Sequence, residues 1–172
     1  MVLEKNGSVL YSIACRERRW LAMKVVIAND HAGVGLKMAL KEEMEKQGHE
    51  VTNIGTDGEE STDYPDYVKE AALAVQKGEA DFGIVICGTG IGASITANKF
   101  RGVYAALCYS VFTAKMARNH NNANIIALGA RTMQEPDAIA MVNTFLNESF
   151  IGERHARRVG KINSIEQQNF LD

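Results

Sequence analysis

DFGIVICGTGIGASITAN, residues 81–98, is the stretch from which the architecture is read. Ile84-Val85-Ile86-Cys87 is a continuous apolar run, the mark of a strand buried on both faces in a parallel sheet. It passes directly into Gly88-Thr89-Gly90-Ile91-Gly92, after which Ala93-Ser94-Ile95-Thr96-Ala97 can continue as a helix. Strand, glycine turn and helix in succession present backbone N–H groups to an anion. Cys87 falls at the carboxyl end of the strand, where open sheets of this kind bind ligands. The stretch therefore predicts a site for a small phosphorylated substrate, with Cys87 acting on it.

Outward from this stretch, strands and helices alternate. Val25–Ala28 predicts a first strand, and Leu36, Leu40 and Met44 then recur on one helical face that Gly48 is placed to end. Residues 50–54 (EVTNI) predict a second, weaker strand, and residues 55–63 a polar loop turning at Asp57-Gly58. After Pro65, Val68, Ala71, Ala72 and Val75 line a second helix closed by Gly78. Downstream, residues 103–107 (VYAAL) and 124–128 (NIIAL) predict the fourth and fifth strands, with a short helix over 111–118 between them. Pro136 suits the first turn of a helix that buries Ile139, Val142, Phe145 and Leu146. A charged tail, 152–158, leads to a last helix over 159–167. Five strands separated by helices predict a mostly parallel sheet covered on both faces by right-handed crossovers.

Composition narrows the function classes. The 172 residues are ample for one domain with a substantial core. A net charge of −2 gives no electrostatic footprint for nucleic acid. No run approaches the roughly 20 apolar residues of a membrane span. Cys15, Cys87 and Cys108 are sparse and widely spaced, which suits reduced thiols in a cytoplasmic protein rather than a disulfide framework. Residues 1–22 show no clear period and lack the leading positive charges of a signal peptide. They read as an N-terminal extension before one α/β domain over 23–172.

Several residues offer chemistry, each with a plainer alternative. Cys87 as a thiolate can act as base or nucleophile, or it is simply a small buried residue in a tight turn. The loop is not a phosphate-binding P-loop, since no Gly-Lys-Ser/Thr follows, and it fits GxGxxG poorly. Asp30-His31, after the first strand, falls at the same sheet edge and can hold sugar hydroxyls or phosphate; the alternative is a helix-capping Asp beside a solvent-facing His. His120, in Arg118-Asn119-His120-Asn121-Asn122, suits proton transfer or sits in a plain polar turn. Arg131 follows the fifth strand, and Arg154 and Arg158 lie four apart, on one face if that segment is helical. Two guanidinium groups so placed suit a phosphate, or form a solvated helix start. His49 reads as a surface residue, and Asp63-Tyr64-Pro65-Asp66 as helix-start chemistry. Neither a zinc-ligand cluster nor a GxSxG elbow is present.

Taken in order, Asn29-Asp30-His31-Ala32-Gly33, Thr62-Asp63-Tyr64-Pro65, Cys87-Gly88-Thr89-Gly90-Ile91-Gly92, Ala97-Asn98-Lys99, His120-Asn121 and Gly129-Ala130-Arg131 closely resemble the type B ribose-5-phosphate isomerases. These are relatives of galactose-6-phosphate isomerase subunits. The resemblance spans about 23–168. It implies a Rossmann-like three-layer α/β/α sandwich with a five-stranded parallel sheet. It also implies interconversion of ribose 5-phosphate and ribulose 5-phosphate through a cis-enediolate in the non-oxidative pentose phosphate pathway, with no metal or organic cofactor. By that resemblance Cys87 is the base, His120 opens the sugar ring, and Asp30 holds a sugar hydroxyl and assists. Thr89 and Asn121 help hold the substrate or intermediate, with Gly88, Gly90, Ile91 and Gly92 around it. His31, Arg131, Arg154 and Arg158 bind phosphate. Some members carry a glutamate base after the last loop glycine; here that position is Ala93. The resemblance further implies a homodimer, sometimes a tetramer, in which His120 serves a partner's Cys87, and no nucleic-acid or membrane partner. The alternatives are the same chemistry on allose 6-phosphate or galactose 6-phosphate, or a sugar-phosphate-binding protein without catalysis.

Overall fold

The structure, a computed structural model, describes residues 22–169. Apart from Ala22, the predicted N-terminal extension lies outside the described residues. Strands β1 (Lys24–Asn29), β2 (Glu50–Asn53), β3 (Phe82–Cys87), β4 (Ala105–Leu107) and β5 (Ile125–Gly129) form one parallel sheet in the order β2-β1-β3-β5-β4. The helices among the described residues are α1 (Val34–Lys46), α2 (Tyr64–Gln76), α3 (Ile91–Ala97), α4 (Val111–Asn121), α5 (Glu135–Asn147) and α6 (Glu153–Asn169).

Side-chain alternation along the strands divides the core in two. Val25, Ile27, Ile84, Ile86, Ile126 and Leu128 point to the face covered by α1, α4 and α5. Val26, Ala28, Val85, Cys87, Ile125 and Ala127 point to the face covered by α2 and α3. Both faces are buried, so β1, β3 and β5 read as unbroken apolar runs rather than alternating ones. Small residues on α2 and α3 (Ala71, Ala72, Ala93, Ala97) let those helices sit close to the sheet, while the other layer is filled by Leu40, Met44, Met141 and Phe145. The result is the expected α/β/α sandwich.

The differences from expectation are local. Strand β4 is shorter than predicted and begins at Ala105. Here Asn98 takes the place of a neighbouring strand: its side-chain oxygen accepts from Ala105 N–H at 2.9 Å and its Nδ2 donates to Ala105 O at 2.8 Å. Helix α4 runs through His120 to Asn121, three residues past the predicted end, and closes at Asn122 in the left-handed conformation. Arg118 explains the extension. Its guanidinium stacks over Phe82 (4.7 Å) and Phe145 (5.7 Å) and donates to Ala123 O at 2.6 Å, fixing the last turn. Residues 153–158 are not a tail but the first turns of α6, which begins after Gly152. His49 is not a surface residue. It is 6% exposed, its Nδ1 accepts from Met23 N–H, and burial lowers its pKa.

Candidate active site

Strand order reverses between β1 and β3, which leaves a crevice beyond their carboxyl ends. An open cleft of about 500 Å³ lies there, lined by Asp30, Tyr64, Cys87, Gly88, Thr89, Ile91, Gly92, Ile95 and Arg131. Four chain segments far apart in sequence thus converge, three of them following β1, β3 and β5 and the fourth bringing Tyr64. Parallel pairing does this for the first three: Asn29 is in register with Ile86, and Cys87 with Gly129, so the residues that follow emerge side by side.

Each group is held by the backbone around it. Cys87, 4% exposed, accepts a hydrogen bond at Sγ from Gly90 N–H at 3.2 Å. Its carbonyl accepts from Ala130 N–H and that of Gly88 from Arg131 N–H, both at 2.9 Å, so the β5 turn is stitched to the loop. A Cβ on Gly88 would lie 3.4 Å from Arg131 Nη1, which puts the guanidinium directly over the loop. Asp30 caps the turn at 31–33 by accepting from Ala32 N–H at 3.0 Å, yet it also lines the cleft. Capping does not remove Asp30 from the cleft. One carboxylate oxygen caps, and the other has no partner among the described residues. His31 stands next to it and accepts from Thr62 N–H through Nδ1 at 3.1 Å.

The loop is less open to an anion than the sequence implies. Gly90 N–H is taken by Cys87 Sγ and Ile91 N–H turns toward Thr89 Oγ1 at 3.4 Å, so two of the five N–H groups of residues 88–92 have partners within the loop. Tyr64 is the residue that sequence reasoning missed. It sits at the first turn of α2, and a Cβ on Gly92 would fall 2.4 Å from its hydroxyl oxygen. Its place in the Thr62–Pro65 motif was the available signal; the helix-start reading concealed it.

The remaining expected residues form a second group, outside that cleft. His120 stacks on His155 with ring centroids 4.0 Å apart and planes 9° apart. Arg154 and Arg158 flank His155 on α6, and their four-residue spacing does place them on one helical face. Asn121 borders a different hollow, with Asn98, Tyr104 and Ile162. Asn119 anchors the group by donating to Glu148 at 2.9 Å and to Ser149 O at 2.7 Å. Among the described residues no cluster of three His, Cys, Asp or Glu side chains is arranged to hold a metal ion, and no helix is long and apolar enough to cross a membrane.

Burial first, and then the charges of His120, Arg154 and Arg158, hold the pKa of His155 below the ordinary imidazole value. Its Nε2 accepts from Arg154 Nε at 3.4 Å, which requires that nitrogen to be unprotonated. Below the ordinary value the unfolded chain binds a proton that the folded state refuses, so this contribution to stability is lost as pH falls. We expect Tm to fall as pH drops through and below the ordinary imidazole value of about 6.5, and His155→Gln to flatten that slope. Equal slopes in melting curves of both proteins would remove His155 as a source.

Comparisons with known proteins show the family and the fold. A sequence model of a family described as Ribose/Galactose Isomerase matches residues 25–162. A ribose-5-phosphate isomerase B from Escherichia coli K12 is 42% identical over 145 residues, covering 84% of this chain and 97% of that protein. A ribose-5-phosphate isomerase B structure from Clostridium thermocellum superposes with a TM-score of 0.83 at 50% identity, covering 85% of this chain and 99% of its own. The Mycoplasma genitalium ribose-5-phosphate isomerase B, solved with bound ribulose 5-phosphate, gives a TM-score of 0.81 at 39% identity, with 84% and 97% covered.

Proposed function

From the premise that this chain belongs to the ribose/galactose isomerase family, we propose that it interconverts ribose 5-phosphate and ribulose 5-phosphate. One observation carries the reading: Cys87, Asp30, Thr89 and Arg131 line a single cleft at the carboxyl ends of β1, β3 and β5. In the reaction Cys87 takes the C2 proton of the open-chain aldose and returns it to C1, while the hydroxyl proton on O2 passes to O1. The enediolate between the two carries negative charge on oxygen, which needs donors already in place. Loop N–H groups not engaged within the loop and the Thr89 hydroxyl provide them. Asp30 holds a sugar hydroxyl. His31 and Arg131 on this side, with Arg154 and Arg158, take the phosphate, so that remote binding positions the reacting carbons.

His120, Asn121, Arg154 and Arg158 lie outside the Cys87 cleft of their own chain, and this supports a homodimer in which they complete a partner's site, with His120 opening the sugar ring. Exposed Ile91 and Ile95 at the rim, with Tyr109 and Phe112, supply apolar surface for such an interface. On this reading residues 23–172 act as one catalytic domain in the cytoplasm, and residues 1–22 are an extension to it.

The assay is ribulose 5-phosphate formation from ribose 5-phosphate by the purified protein. Turnover is expected, with Arg154→Ala and Arg158→Ala each raising KM by about tenfold and changing kcat less. Unchanged KM in both would return the arginines to a solvated helix face. The family also acts on six-carbon sugars by its description, so kcat/KM for galactose 6-phosphate and allose 6-phosphate belongs beside it. Tight binding without turnover of any of the three would make the protein a binder.

A further inference from the structure

Lys37 is fully buried, and neither the fold nor the proposed chemistry uses it. It lies in the first turns of α1, where an apolar side chain would complete the core at less cost than a desolvated ammonium. Its charge is engaged in one place. Nζ donates to Thr56 O at 2.7 Å and pairs with the Asp57 carboxylate, whose pKa is lowered by that contact first.

The same carbonyl is held a second time. Asn29, also fully buried, donates Nδ2 to Thr56 O at 3.0 Å, while Thr56 N–H returns a bond to Asn29 O at 3.2 Å. Gly55 is pressed so closely on β1 that a Cβ there would lie 2.5 Å from Asn29 N. The segment after β2 is therefore clamped across the carboxyl end of β1. It goes on to Thr62, whose N–H takes His31 Nδ1, and to Tyr64, which lines the cleft. With Nδ1 accepting, the proton of the neutral ring is on Nε2, the nitrogen left to donate to a ligand.

We propose that Lys37 is a positioning residue: it locks the 54–63 loop so that Thr62 fixes the His31 ring with Nε2–H as its donor. This rests on the assignment of His31 to the phosphate set. A residue kept only for packing would have no such link to the histidine beside the cleft residue Asp30.

The test uses the full chain. In the unmutated protein, nitrogen-15 NMR of the histidine rings is expected to give the Nε2–H tautomer for His31; an Nδ1–H tautomer overturns the proposal whatever any variant does. Lys37→Met is expected to mix the tautomers and to raise KM for ribose 5-phosphate by roughly tenfold with kcat within about threefold. Because Lys37 acts through His31, adding Lys37→Met to His31→Ala is expected to change KM by no more than about twofold. Full additivity in the double variant, or a Lys37→Met protein that melts lower with KM and the His31 signals unchanged, overturns it. If His31→Ala alone leaves KM unchanged, the phosphate assignment fails instead, and the tautomer in Lys37→Met still decides whether the clamp acts on His31.

Discussion

Cys87→Ala is expected to lower kcat for ribose 5-phosphate isomerisation by at least about a hundredfold and to leave the fold intact. General-base removal typically costs between about a hundredfold and ten-thousandfold. The structural cost is small, because one buried sulfur leaves a site that already opens on the cleft, so the stability change stays within about 1 kcal/mol. The phosphate groups are untouched, so a sugar phosphate should still bind. Paired kinetics and calorimetry check this; retained turnover would refute the base assignment. Mixing this variant with His120→Ala extends the test. If a site takes Cys87 from one subunit and His120 from its partner, random reassociation restores one intact site in half of the dimers, about a quarter of full activity. No recovery on mixing would mean both groups serve the same chain.

The second large effect is expected at Gly90. It has φ +77°, and a Cβ there would sit 2.8 Å from the Leu128 carbonyl carbon and 2.7 Å from Leu107 Cδ1. Gly90→Ala meets a left-handed backbone cost of about 1–2 kcal/mol and a collision with backbone that cannot rotate away. A loss near 3 kcal/mol follows, which lowers Tm by roughly 6–12 °C in a chain of this size. The consequence extends to activity, since Gly90 N–H is the group bonded to Cys87 Sγ. We expect kcat to fall by at least tenfold even at temperatures where the variant remains folded. A variant with wild-type Tm and kcat would show that the loop tolerates another path.

The sheet and its two helical layers were legible because periodicity reports burial, and burial is nearly complete on β1, β3 and β5. The cleft was legible for a related reason: in a parallel sheet every carboxyl end faces the same edge, so Asp30, Cys87 and Arg131 had to meet there. What could not be read depended on contacts distant in sequence. The end of α4 is set by Arg118 stacking on Phe82 and Phe145, rings 36 and 27 positions away in sequence, which no local pattern encodes. His49 looked like a surface residue because a polar type after a glycine usually is one, whereas Met23 N–H claims its ring. Lys37 was invisible for the converse reason: charge normally signals solvent, and only the fold reveals a carbonyl and a carboxylate waiting for it.

Asn98 bears on how this sheet meets other molecules. A bare outer strand offers its amides to any extended peptide nearby, the route by which folded proteins begin to stack into fibrils. At β4 that offer is answered at Ala105, where the Asn98 amide occupies both the donor and the acceptor. An incoming strand would find that position taken by a side chain that extends no ladder of its own. At the far edge, β2 leaves Glu50, Thr52 and Asn53 exposed, and a charged, polar border there discourages an added strand by a different means. Each outer strand is thus a poorer template than a bare one, through a side-chain amide at Ala105 on one side and a polar border on the other.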